Sequence, residues 1–317
     1  MMPMPSFSYQ VKEELCRRPL RERHCMQAEL AGITHVSGAL FLSGSGTGIS
    51  YTTEHPSIVT RLFSLYAGLF SLTPLLSQTK NQLQKEVYQI RVIFSDLENA
   101  LQTLAVTLTP MFGVNQALLA SLLGKDCCKA AYLRGAFLGS GSMTDPEKEY
   151  HLEIVSGSSA VAEVLRNLMS SVEISAGITA RKENTVVYLK DSTGITTLLT
   201  HMGAHTAVLE IENIRIYKNI RGNINRQYNW ESANIDRTVR SAMTQLKNIT
   251  LIEEYQGLSS LTPALQEAAT LRLQHPEASL EELASLSKNK SSKSAMNNRL
   301  RKLAGIAEAI KKAYDLS

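Results

Sequence analysis

The chain has 317 residues, 44% hydrophobic and 20% charged, with a formal net charge of +4. That length accommodates about two domains with ordinary globular cores. It contains no run of roughly 18 uninterrupted apolar residues, which excludes a membrane-spanning helix; the nearest, Leu62 to Leu76, is broken by Ser64, Gly68, Ser71, Thr73 and Pro74.

Met1 to Glu14 lacks the basic-then-apolar order of a signal peptide, so a cytoplasmic protein is expected. The four cysteines are Cys16, Cys25, Cys127 and Cys128. They form no Cys-x-x-Cys pair and have no histidine at zinc-site spacing. Adjacent Cys127 and Cys128 would point to different faces of a helix. Buried, reduced thiols are expected, with no metal and no cofactor. Residues 206–317 hold 16 Lys and Arg against 12 Asp and Glu, whereas residues 1–205 hold 17 of each. The basic excess concentrates in Lys288, Lys290, Lys293, Arg299, Arg301 and Lys302, a run without acids. Such a run is either a phosphate-binding surface or a solvated helix face.

In chain order, Phe7 to Cys25 reads as a polar helix start with a basic, solvated tail of Arg17, Arg18, Arg21 and Arg23. Glu29 to Gly38 is an apolar, glycine-containing helix. Ala39–Leu42 and Ile49–Thr53 form a hairpin around a loop of Ser43, Gly44, Ser45, Gly46, Thr47 and Gly48. No Lys-Ser/Thr follows that loop, so it is a turn and not a phosphate loop. Ile58, Leu62, Leu65 and Leu69 set a helix over Pro56 to Phe70. Val87 to Phe94 alternates, with Tyr88, Ile90, Val92 and Phe94 on the apolar face. Asp96 caps a short helix ending near Leu108.

Leu118 to Ser140 is a second glycine helix with its lead-in. Tyr150–Val155, Ile178–Arg181 and Thr185–Lys190 read as strands, and helices run from Ser158 or Ser159 to Met169 and from Thr193 to Met202. Each half thus reads helix, strand pair, helix, strand pair, helix. Leu30 and Leu133 begin equivalent helices 103 residues apart, so an internal duplication is the simplest account. Glycine costs roughly 1 kcal/mol against alanine inside a helix. Its presence in both helices points to two backbones packed nearly in contact.

From Asn213 the character changes. Asn219–Asn229 reads as an irregular linker, because asparagine forms turns. Ile235, Val239, Ala242, Leu246 and Ile249 then trace one face of a long helix. Asn223, Asn225, Arg226, Asn229 and Asn234, with Arg221, either shape the chain, bind DNA or dock two domains together. The tail is helical. Thr262-Pro263 starts a helix to about Gln274, and Ser279 with Glu282 makes a capping box for a short one. After the turn Lys288-Asn289-Lys290-Ser291, Ser291 or Ser292 caps a third helix from Lys293 to Leu303, extendable to Ala313. Met296, Leu300 and Leu303 face its core.

Three short helices with a polar, basic third one describe a helix-turn-helix, whose third helix enters the major groove. Lys293, Ser294, Asn297, Asn298 and Arg301 are left outward, with Arg299 and Lys302 in the same run. Asparagine can pair with adenine, and arginine with guanine or phosphate. Ser291, Ser292 and the free N–H groups of the helix start can hold a phosphate. The expected partner is double-stranded DNA.

Leu30-Ala31-Gly32 with Ser37-Gly38 resembles the LAGLIDADG motif of homing endonucleases, and Leu133-Arg134-Gly135 with Ser140-Gly141 its degenerate sister. The resemblance implies an α+β fold: a duplicated αββαββα domain with a pseudo-twofold helix pair and two β-saddles, followed by the all-α helix-turn-helix. It also implies a metal-holding acid at the end of each motif, where this chain has Ser37 and Ser140. A neutral hydroxyl is a poor ligand for Mg²⁺, so no nuclease activity is expected. Asp145 and Glu147 have no counterpart after the first helix.

The whole arrangement resembles the WhiA family of Gram-positive bacteria. The matching segments include Cys127-Cys128-Lys129, Ser142 to Lys148, Tyr150 to Glu153, Asn225-Arg226, Asn229, Ala233-Asn234, Leu271-Arg272-Leu273 and Asn298 to Leu303. Residues 40–115 match least. The resemblance implies a non-enzymatic DNA-binding protein acting in cell division and chromosome segregation, and in regulating sporulation in filamentous relatives. It also allows other regulatory proteins as partners. The expected division is 1–115 and 116–212 for the two repeats, 213–254 for linker and long helix, and 255–317 for the helix-turn-helix.

Overall fold

The computed structural model describes residues 5–315 except 45, 83, 108–112 and 289. Ser45 of the glycine loop, Leu108 at the expected end of the short helix, and Asn289 of the C-terminal turn lie outside the described residues. The chain divides into two compact units, one ending at Tyr217 and the other beginning at Lys218.

In the first unit, α1 (Phe7–Cys16) precedes two copies of one pattern. The first copy is α2 (Arg23–Ser37), β1 (Ala39–Ser43), β2 (Gly46–Thr53), α3 (Pro56–Phe70), β3 (Leu75–Lys80), β4 (Glu86–Ile93) and α4 (Leu97–Thr103). A small ladder of β5 (Val106–Thr107) and β6 (Gly113–Val114) and helix α5 (Gln116–Leu122) follow. The second copy is α6 (Asp126–Ser140), β7 (Gly141–Met143), β8 (Leu152–Ser156), α7 (Ser159–Ser170), β9 (Gly177–Arg181), β10 (Asn184–Leu189) and α8 (Ser192–Met202). The two four-stranded sheets have the same antiparallel order, β1-β2-β4-β3 and β7-β8-β10-β9. Ile49 and Tyr51 of β2 are buried, and so are Leu152 and Ile154 of β8, each 103 residues later. The repeated αββαββα pattern is therefore present as expected.

Helices α2 and α6 pack backbone to backbone. A Cβ on Gly32 would lie 2.3 Å from the Tyr132 carbonyl oxygen, and one on Gly135 would lie 2.0 Å from that of Glu29. The two glycines are 103 residues apart, and so are the carbonyls they approach, so each contact is the mirror of the other under the repeat. No side chain fits there, which explains two glycines inside helices.

A buried ion triad ties this axis to its surroundings. The Glu29 carboxylate is 0% exposed. It accepts from Arg61 Nε of α3 at 2.6 Å and Nη2 at 2.8 Å, and from Arg134 Nε of α6 at 2.9 Å. Arg134 also donates to the Met202 carbonyl at 3.0 Å, and Arg61 to the carbonyls of Cys16 and Arg18. One buried acid thus holds two guanidinium groups, whose remaining donors reach main-chain oxygens. A second buried polar contact joins the same helices: His35 Nδ1 lies 2.8 Å from the Tyr132 hydroxyl.

Several expectations need correction. The single helix over Phe7 to Cys25 is broken between α1 and α2. Pro19 has no N–H and disfavours helical backbone at Arg18. Its basic tail is not simply solvated, because Arg18 donates to the Gly203 carbonyl at 3.1 Å and Arg23 to that of Leu69 at 2.8 Å. The repeat pattern calls for a partner to β4, but no segment is assigned to it from sequence; it is β3, every residue of which is exposed, so it lacks an apolar alternation. Strand β7 is only 3 residues long. The lead-in to the second glycine helix is a separate helix, α5.

The largest correction concerns Asn219–Asn229. It is not an irregular linker. One helix, α9, runs from His205 to Tyr255, and the boundary between the units falls within it. Asparagine is only a mediocre helix former, costing a fraction of 1 kcal/mol against alanine. Side-chain pairs at helical spacing, Arg226 with Asn223 and Gln227 with Glu231, support this segment. The apolar stripe expected after it is core only at its end. Ala242 and Ile249 are buried, but Ile235 is 63% exposed and Val239 is 48% exposed.

The second unit closes on Ile249 and Ile252 of α9 with α10 (Pro263–Gln274), α11 (Leu280–Leu286) and α12 (Lys293–Ala313). A short 3-10 turn, Leu258–Ser260, precedes α10. Met296, Leu300 and Leu303 are buried as expected, with Ala307 and Ile310 extending the stripe. The Ser279–Glu282 capping box is formed. Arg272 is buried and holds the bend after α10: it donates to the carbonyls of His275, Pro276 and Ala278 and to the Gln245 side chain. Among the described residues no helix is long and apolar enough to cross a membrane.

Three outcomes follow. Gly135→Ala forces a methyl into a carbonyl and costs at least about 3 kcal/mol by overpacking, read as a lower urea midpoint. Glu29→Ala leaves two buried guanidinium groups without a counter-charge and costs about 3–5 kcal/mol on the same measurement. Burial pushes the His35 imidazole down from 6.5 to about 4. As pH falls, the unfolded chain therefore takes up this proton first, and stability drops between those two values. Burial holds His55 down as well. His35→Gln should remove part of the decline in midpoint between neutral pH and the acid end of that window.

Candidate nucleic-acid interface

The exposed side of α12 begins at a well-built cap. The Ser292 hydroxyl accepts from Ala295 N–H at 3.2 Å. Ser291 lies one residue outside and is half-buried; its N–H donates to the Ser287 hydroxyl at 2.8 Å. Ser292 therefore caps the helix, and Ser291 braces the turn from α11. Both hydroxyls stand at the positive end of a 21-residue helix, where backbone dipoles favour an anion.

At about 100° per residue, Lys293, Asn297 and Arg301 fall on one stripe, with Ser294 and Asn298 beside it. Lys293, Ser294, Asn298 and Arg301 are exposed and Asn297 is half-buried. The Glu281 carboxylate lies 3.7 Å from Lys293 Nζ, with both groups largely exposed. Such a pair is weak and readily exchanged for a phosphate. The face combines two fixed-length amide side chains with a lysine and an arginine, the donors and acceptors that read base edges and backbone in a major groove.

The remaining two expected residues are placed differently. Arg299 lies off the stripe, half-buried, and donates to the Glu267 carboxylate of α10 at 3.3 Å. It pins α12 to α10. Lys302 is exposed but lies at the far edge of the polar side. The Lys288 N–H donates to the other Glu267 oxygen at 2.7 Å, so one acid holds both the turn and the helix.

Arg221, Asn223, Asn225, Arg226, Asn229 and Asn234 all lie in α9. Arg221, Asn225 and Asn229 recur every four residues along one side, whereas Asn223 and Asn234 fall on another. All are exposed except Asn234, which is half-buried. They form a polar helix surface and not a loop.

In the first unit, Ser37 and Ser140 sit at the C-terminal ends of α2 and α6. Ser37 Oγ donates to the Ile33 carbonyl at 2.8 Å and Ser140 Oγ to the Val155 carbonyl at 2.5 Å. Both hydroxyls are spent on main chain, and neither brings negative charge. At the opposite ends of the same helices the structure brings together something unforeseen. His24, Cys25, Cys127 and Cys128 place their ligand atoms within 4.8 Å of one another, the one such cluster among the described residues. The expectation of four buried thiols is also corrected: Cys128 is buried, Cys16 and Cys25 are half-buried, and Cys127 is exposed. Spacing rules failed here because the ligands come in adjacent pairs from two repeats. The signal available in the sequence was the repeat itself, since His24 and Cys25 align with Cys127 and Cys128 at an offset of 103 residues. The Glu29 triad was missed as well, for want of any local pattern.

Comparison with known proteins agrees with this layout. Three family models match in series: the WhiA N-terminal LAGLIDADG-like domain over residues 23–106, the WhiA LAGLIDADG-like domain over 129–221, and the WhiA C-terminal HTH domain over 224–307. A probable cell division protein WhiA of Alkaliphilus metalliredigens is 40% identical over 309 residues, covering 96% of this chain and 98% of its own. Its counterpart in Heliobacterium modesticaldum is 38% identical over 308 residues, covering 96% of each. The crystal structure of full-length DUF199/WhiA from Thermotoga maritima superposes with a TM-score of 0.61 at 27% identity, over 96% of this chain and 99% of that one. The chain, with two LAGLIDADG-like repeats and a C-terminal helix-turn-helix, belongs to the WhiA family of cell division proteins.

Proposed function

We propose that this chain is a DNA-binding regulator that does not cut DNA. The observation that carries the reading is the outward face of α12: Lys293, Ser294, Asn297, Asn298 and Arg301 on a helix whose opposite side is fully committed to the core. Lys302 and the capped start at Ser291 and Ser292 supply flanking phosphate contacts, and Arg299 acts indirectly by fixing the helix on Glu267. The polar surface of α9, with Arg221, Asn223, Asn225, Arg226, Asn229 and Asn234, is a second site of backbone contact.

The LAGLIDADG-like unit serves as a scaffold in this reading. Hydrolysis by that fold rests on carboxylates holding divalent metal between the helix ends, and Ser37 and Ser140 provide only hydroxyls already donated to carbonyls. Its sheets remain available to DNA or to other regulatory proteins. The relatives' names place them in cell division. We extend this to control of transcription on the nucleoid in the cytoplasm, touching chromosome segregation and, in sporulating relatives, sporulation.

Fluorescence anisotropy with a labelled duplex tests the reading. Affinity should fall steeply with salt, and Arg301→Ala or Asn298→Ala should weaken binding about tenfold or more. Arg221→Ala with Arg226→Ala should reduce the salt slope by about 2 if both touch phosphate. Wild-type binding that is indifferent to Arg301→Ala would remove α12 as the reading helix. Plasmid incubated with protein and Mg²⁺ should stay intact, and site-specific cleavage would restore the endonuclease alternative.

A further inference from the structure

We infer that His24, Cys25, Cys127 and Cys128 form a binding site for a thiophilic metal ion, Zn²⁺ in the first instance, that clamps the start of α2 to the start of α6. One imidazole and three thiols are the donor set of a structural tetrahedral zinc site. The site is remote from Ser37 and Ser140, which lie at the other ends of these helices, and it uses no carboxylate ligand.

The geometry is already near that of a bound state. A tetrahedron with Zn–S of about 2.3 Å and Zn–N of about 2.0 Å has edges of roughly 3.5–3.8 Å. His24 Nδ1 is 3.2 Å from Cys128 Sγ and 3.3 Å from Cys25 Sγ. All ligand atoms lie within 4.8 Å of one another. The helices that carry the four ligands are locked together at Gly32 and Gly135, so the site is held in place by packing that does not depend on the ion.

Three further observations point to a cation bound by thiolates. Cys127 and Cys128 are the second and third residues of α6, and His24 and Cys25 the second and third of α2. Both helices are 15 residues long and their N-terminal ends converge on the sulfurs; burial holds the Cys25 and Cys128 thiols up, so their protons leave in exchange for a bound cation. The second nitrogen of the His24 ring, Nε2, lies 4.0 Å from the Glu22 carboxylate. At that distance Glu22 is an electrostatic neighbour and not a hydrogen-bond partner; drawn in to hydrogen-bonding distance, a carboxylate there would fix the tautomer of a ligating imidazole. Finally, Cys127 is exposed and Cys128 buried, so the site is open to solvent on one side and anchored on the other. On binding, each thiol that ligates gives up its proton to solvent, and three thiolates with one neutral imidazole leave the Zn²⁺ complex with a single negative charge.

Full-length protein, reduced and stripped of metal, is titrated with Co²⁺ and Zn²⁺. The expected result is one ion per chain, with a Co²⁺ spectrum of tetrahedral thiolate type that Zn²⁺ displaces. Zn²⁺ should raise the melting temperature and protect Cys25, Cys127 and Cys128 from alkylation, leaving the labelling of Cys16 unchanged. Cys127→Ser, at an exposed position, should fold and weaken binding at least tenfold, and Glu22→Gln about tenfold. Folded protein that takes up no Co²⁺ would overturn the assignment. So would binding that survives Cys127→Ser with Cys25→Ser, or a disulfide from Cys25 to Cys127 or Cys128 forming in air in Zn²⁺-saturated protein.

Discussion

The main-chain approach of α2 and α6 governs the first unit. At Gly32 and Gly135 each helix presses on a carbonyl of the other, at distances that admit no side chain. Two helices that meet this closely cannot slide or rotate independently. The sheets that follow them are then placed by short connections, because β1 begins two residues after α2 ends and β7 immediately after α6. The pseudo-twofold arrangement of the saddles is a consequence of that contact. So is the meeting of His24 and Cys25 with Cys127 and Cys128, and of Glu29 with Arg134.

Polar chemistry is distributed unevenly along this axis. Its middle holds a buried acid between two arginines, a costly arrangement that persists only when every donor and acceptor is matched. Main-chain oxygens of Cys16, Arg18 and Met202 take up further donors of the two arginines. A buried network of this kind ties α3 to α2 through Arg61 and Glu29, and the end of α8 to α6 through Arg134 and the Met202 carbonyl. The ends of the helices differ from each other. One end has serines that donate to carbonyls; the other gathers sulfur and imidazole. A scaffold that carries serines and no acids at those helix ends keeps its packing, because the packing rests on the glycine contacts.

The second unit works by a different economy of parts. Its helices are short and depend on caps: the Ser279–Glu282 box on α11 and Ser292 on α12. Arg272 and Glu267 then hold the turns by bonding to main chain. The third helix is packed by one stripe, Met296, Leu300, Leu303 and beyond, which leaves its other side free of structural duty. A polar face that stability does not require is one that recognition can use.

Much was legible in the chain itself. The glycine pair, the helical spacing of Ile58, Leu62, Leu65 and Leu69, the alternation from Tyr88 to Phe94 and the capping signals near the C-terminus are all local patterns, and each produced its element. The serines at 37 and 140 were readable because the repeat gives them a register. What failed was non-local or averaged away. Residue by residue, the propensities of Asn219–Asn229 describe an irregular segment, whereas a 51-residue helix is cooperative and tolerates mediocre formers once it is nucleated. Strand β3 has no buried face, so its pairing with β4 is the only thing that defines it. The sequence by itself determined the duplication, most of the elements of each repeat and which side of α12 faces outward, since these follow from periodicity and spacing. Only the tertiary structure decided that Glu29 joins Arg61 and Arg134, and that a histidine and three cysteines from two repeats converge. Those meetings depend on where two helices cross, and a crossing has no signature within either helix.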